Sequence, residues 1–125
     1  MARKIFVLRA HSLVAKEKAK TLLSFGNDNQ ICIPFPVLDE LEKLTHQYSQ
    51  QGKNARSILD YIDSFDIKKL MSKEGVIQPN GSSLRLVHAN NESRIAIPNL
   101  SVADKQCLEI AMDLKKENPK TPVIL

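Results

Sequence analysis

"ICIPFPVLDELEKL", residues 31–44, decides the fold. Its first five residues are an apolar run of strand length, and Pro36 then sits well at a first helical position, where a missing N–H is no loss. Setting Val37 at zero, Leu41, Leu44 and Leu38 fall at about 40°, −20° and 100° on a wheel of 100° per residue. A strand that runs straight into an amphipathic helix is the repeating unit of an α/β sheet. The rest of the chain alternates in the same way. "KIFVL" (4–8) reads as a strand, "LVAKEKAKTLLS" (13–24) as a helix and "FGNDNQ" as the turn before the central stretch. "QGKNARSILDYIDSFDIKKLM" (51–71) carries Ala55, Ile58, Leu59, Ile62 and Phe65 at a helical period. "GVIQPNGSSLRLVH" (75–88) predicts a hairpin turning at Pro79-Asn80-Gly81. "RIAI" (94–97) predicts another strand, "SVADKQCLEIAMDLKKE" (101–117) a helix, and "PVIL" (122–125) a final buried strand. The expected fold is a three-layer α/β/α domain with a mostly parallel central sheet.

A chain of 125 residues suggests one domain, long enough for a core without staples. Cys32 and Cys107 lack metal-type spacing and lie in apolar patterns, so reduced, buried thiols and a cytoplasmic setting are expected. No apolar run is long enough to span a membrane, and Arg9 cuts the first one too short for a signal peptide. The net charge of +4 is local: residues 1–20 hold six Lys/Arg against one acid, and the rest hold twelve against thirteen. Lys16, Lys18 and Lys20 could attract phosphate, or form the solvated face of a helix. The final strand ends on an apolar residue with no turn after it, which predicts a domain lacking its C-terminal strand and helix.

Chemistry has three candidate seats. Glu40 lies near −60° on the same wheel, about at the border of the buried stripe, whereas Asp39 and Glu42 face water. It could lean into a cleft at the sheet edge, or be an exposed acid near a helix start. Asp104, three residues after Ser101, fits a capping box, and an acid in a first helical turn beside a strand end could also ligate a hard cation. Lys53 and Arg56, with Asn54 between them, could meet phosphate, or be the charged face of their helix. The three histidines have no zinc spacing, and no Gly-rich loop or Ser-His-Asp set is present. Arg9 stands at the end of the first strand, where ligand groups gather in open sheets.

Taken in order, "KIFVL", "ICIPFPVLDELEKL", "GKNARSILDYID" and "SVADKQCLEIAMDLKKENPKTPVIL" resemble a PIN domain, of the kind found N-terminal to PhoH-like ATPase domains. The resemblance implies RNA cleavage with Mg²⁺ or Mn²⁺ held by a cluster of acids. One acid follows the first strand, a Glu lies on the helix after the second, an Asp opens a later helix, and another follows the next strand. By position Glu40 and Asp104 match the second and third, which makes them the implied catalytic and metal-binding residues. The family's Asp-Thr-Asn after the first strand is replaced by Arg9-Ala10-His11. The acid expected after "PVIL" is missing as well, and two surviving acids make a poor cation cage, so cleavage is expected to be weak or lost. A guanidinium can stand in for a cation among carboxylates, so Arg9 either plugs the site or points to solvent at its strand end. Weak, salt-dependent RNA binding through Lys53 and Arg56 is expected to remain. The alternative is a non-catalytic binding or oligomerisation module of a longer protein, with an ATPase domain, a homo-oligomer and no membrane as its partners.

Overall fold

The computed structural model describes residues 4–14, 29–79, 81–88 and 101–124. Five strands form one sheet: β1 (Ile5–Val7), β2 (Gln30–Pro34), β3 (Val76–Ile77), β4 (Ser83–Val87) and β5 (Val123–Ile124). The helices are α1 (Ala10–Val14), α2 (Phe35–Leu44), α3 (Gln50–Asp63), α4 (Ile67–Leu70) and α5 (Val102–Glu117).

The strand order is β3-β4-β2-β1-β5. β1 pairs in parallel with β2 and β5, and β2 pairs in parallel with β4; β3 alone is antiparallel, closing the hairpin onto β4. The connections β1→β2 and β2→β4 run one way across the sheet, and β4→β5 returns the other way. Right-handed crossovers therefore put α5 on the face opposite the earlier helices. This is the α/β architecture that the strand–helix alternation predicts, and the parallel strands have the continuous apolar character of a sheet covered on both faces. Val7, Ile31, Cys32, Ile33 and Leu84 are fully buried, joined by Leu13 from α1, Val37 and Leu41 from α2, and Ile58 from α3.

Several boundaries differ from the sequence pattern, each for a local reason. α2 begins one residue early, at Phe35, with Pro34 as its N-cap and Pro36 inside the first turn. The long period over residues 51–71 is two helices, because the Asp66 carboxylate accepts from Lys68 N at 3.0 Å and starts α4 afresh. α3 is capped by Ser49, whose hydroxyl accepts from Gly52 N at 3.2 Å. The final strand is less buried than "PVIL" suggests: Val123 is half-buried and Ile124 is 39% exposed. The "RIAI" strand, the helix beyond Val14 and Lys16, Lys18 and Lys20 lie outside the described residues. No helix among the described residues is long and apolar enough to cross a membrane. Both cysteines are free and buried.

Candidate active site

The carboxyl ends of β1 and β2 hold the site. Leu8 N donates to Cys32 O at 3.1 Å, carrying the β1–β2 ladder one residue past β1. Arg9 follows, and its carbonyl accepts from Leu13 N at 3.2 Å, so Arg9 is the residue on which α1 starts. An arginine there has no side-chain oxygen to cap the helix. Its side chain turns instead to the first turn of α5, on the other face of the sheet, where Arg9 Nη1 lies 3.6 Å from Asp104 Oδ1. That is an ion-pair distance, longer than the hydrogen bond of about 2.7–3.2 Å that a directly seated plug would make. The side chains are 46% and 31% exposed, so the pair sits at a cleft mouth rather than in the core.

Asp104 takes part in a helix cap through its backbone and in an ion pair through its side chain. Ser101 Oγ accepts from Asp104 N at 3.1 Å, which is the forward half of a capping box. The Asp104 carboxylate faces Arg9.

Glu40 behaves as its wheel position predicts: half-buried on α2, while Asp39 and Glu42 are exposed. α2 and α5 are in contact, and buried Cys107 lies on α5 one turn past Asp104. Burial pushes the Cys107 thiol up to about 11, with the Asp104 and Glu40 carboxylates adding to the rise and Arg9 opposing it. Both acids and the arginine therefore bear on one buried sulfur. Cys107 is a core residue, as its apolar spacing marks it, and the influence of these charges on its thiol is what sequence reading misses.

Lys53 and Arg56 lie on α3, and both are exposed. Arg56 donates through Nη1 to the Thr45 carbonyl, tying α3 to the end of α2. It shares a surface hollow with Glu42, Asp60 and Asp63. Asn54 is not available to phosphate: it is 4% exposed, donates through Nδ2 to Val14 O at 2.9 Å, and accepts from Gln50 Nε2 at 3.0 Å. It locks α3 to α1. A second carboxylate of α5, Glu109, is only 2% exposed, but it lies about 140° around the helix from Asp104 and does not join the site. A cavity of about 640 Å³ lined by Gln30, Lys73 and Arg85 opens at the amino ends of β1 and β2, far from these acids.

No group of three or more His, Cys, Asp or Glu side chains suited to a metal ion occurs among the described residues. Hard divalent cations take six or more oxygen ligands. Mg²⁺ meets that number with waters and as few as one or two carboxylates, so what opposes a cation here is the guanidinium already paired with Asp104.

The mostly parallel sheet with helices between its strands defines a class. The family model described as PIN domain matches residues 10–125. The chain belongs to the PIN-domain family, whose members are generally metal-dependent nucleases. No curated protein and no solved structure matches it.

Proposed function

We propose that this chain is a PIN domain of the Mg²⁺- or Mn²⁺-dependent endoribonuclease type that retains RNA binding and has lost most or all cleavage. The observation that carries the reading is the Arg9–Asp104 pair at the carboxyl end of the sheet. Carboxylates gathered at one place repel each other and favour a counter-charge. In a metal-dependent hydrolase that charge comes from a cation, which also activates water. Here Arg9 supplies it without supplying water activation. Glu40 and Asp104 remain as site acids, and the guanidinium beside Asp104 can meet a phosphate of a bound strand. Lys53, exposed on α3, adds a cation that steers the strand, with Arg56 contributing less because of the acids around it.

A second reading is a non-catalytic binding or oligomerisation module of a longer protein such as a PhoH-like ATPase fusion, and the same pair supports its non-catalytic character alone. Incubation with single-stranded RNA and Mn²⁺ separates the readings from an active nuclease. No cleavage above background is expected. Cleavage that disappears in Glu40→Ala overturns the proposal, because it requires a working acid site despite Arg9.

A further inference from the structure

The Phe35 and His88 rings stack, with centroids 4.0 Å apart and planes 11° from parallel. Phe35 is the first residue of α2, directly after β2, and His88 directly follows β4. Pro34 and Val87 are register partners in the parallel β2–β4 pair, so the next residue of each strand leaves the sheet at the same level. Phe35 is half-buried against the core, whereas His88 is exposed. The inner ring is thus anchored, and it holds the outer one flat at the sheet's carboxyl edge.

That edge is also where Arg9 and Asp104 meet. β2 lies between β4 and β1, so the stack stands one to two strand spacings, roughly 5–10 Å, from the strand end that leads to Arg9. An aromatic face beside a cation is what an unpaired nucleotide needs: a surface for the base and a charge for the phosphate. Neither ring is explained by the acid site, and hydrophobic burial alone does not account for an exposed imidazole held in register with a phenyl ring.

From this geometry we infer that the Phe35–His88 stack is a nucleobase platform, which holds an unpaired base of an RNA strand while the adjacent phosphate lies toward Arg9. The inference rests on the RNA reading above and adds a positioning site to it. Stacking selects for a base and is tolerant of which base, because every base has a π-face.

The test is a pair of anisotropy titrations at low salt, one with a short single-stranded oligoadenylate and one with an abasic strand of equal length and charge. The present sequence should bind the base-bearing strand at least about fivefold more tightly. His88→Ala should remove that preference and leave the abasic affinity unchanged, and His88→Phe should restore it. His88 is exposed and belongs to no core cluster, so the variant should fold; an unchanged melting temperature checks this. If His88→Ala binds both strands with the original ratio, or the original protein does not distinguish them, the platform is wrong and the RNA reading stands. If neither strand binds, both fall.

Discussion

Arg9 Nη1 and Asp104 Oδ1, 3.6 Å apart, join the end of β1 to the first turn of α5 across the carboxyl edge of the sheet. The two residues are far apart in the chain, and their pairing sets a positive charge beside an acid at the sheet's carboxyl edge. At this exposure the pair should add little to stability, and its main effect should be on cation binding.

The pair is half-exposed, so Arg9→Ala should cost only about 0–1 kcal/mol, a fall in melting temperature of no more than about 5 °C for a domain of this size. Mn²⁺ should recover more of that loss than it adds to the present sequence, by occupying the vacated space. Arg9→Asp should gain most from Mn²⁺, with one confounding effect: an Asp at this position also caps α1. Arg9→Asn caps α1 without adding charge and isolates that effect. Melts of the four proteins with and without Mn²⁺ decide the matter. Equal metal shifts in all four mean that Arg9 occupies no cation's place.

RNA affinity should fall steeply with salt, because neutralising phosphates releases counterions. Lys53→Gln should flatten the plot of log affinity against log salt by about 0.7 for each single-strand phosphate that Lys53 neutralises. Arg56→Gln should flatten it less, since Glu42, Asp60 and Asp63 share its hollow. A slope indifferent to both changes assigns Lys53 and Arg56 to the solvated face of α3.

How much of the structure is legible in the sequence depends on the range of the interactions involved. Glu40's half-buried setting follows from the angle it makes with Val37 and Leu41, all on one helix, and the wheel captures it. The Ser101–Asp104 cap is likewise local. The direction of the Asp104 carboxylate is not, because it depends on Arg9 arriving from a different strand. Asn54 misleads for the same reason: its position among Lys53 and Arg56 suggests a surface, whereas its partner is Val14 O, 40 residues away. The break between α3 and α4 is hidden because the apolar period continues through Phe65 while Asp66 restarts the helix. The Phe35–His88 stack depends on the β2–β4 register, which no local pattern encodes.

The α2–α3 connection should be intolerant of any side chain at Gly52. A Cβ there would clash with Gln47 O and meet Leu44 O at 3.0 Å, both backbone atoms that cannot swing aside. Gly52→Ala must therefore push α3 away from the end of α2 and strain the Ser49 cap. A loss of about 1–3 kcal/mol is expected, as for other overpacked sites, measured by urea unfolding. Stability unchanged from the present sequence would mean that this turn relaxes freely.

Alkaline pH should weaken the fold through its two buried thiols. Burial raises Cys32 from 9.0 to about 12, with Arg85 opposing. Burial raises Cys107 from 9.0 to about 11, with Asp104 and Glu40 adding and Arg9 opposing. In both cases the folded chain keeps a proton that the unfolded chain gives up. Stability is therefore fully present below about pH 9 and declines as pH rises toward the folded values. Each thiol contributes a slope of up to about 1.4 kcal/mol per pH unit in that window. Other groups titrate there as well, so the informative quantity is a difference between variants. Cys107→Ala should lose about one thiol's share of the slope between about pH 9 and 10.5, roughly 1 kcal/mol per unit. Asp104→Asn should bring the Cys107 thiol down and shorten the window, because one of the carboxylates holding it up is gone. Urea unfolding at several pH values reads both effects. Curves for the three proteins that run parallel would show that Cys107 does not sense Asp104, and with that the grouping of Glu40, Asp104 and Arg9 around one sulfur would fail.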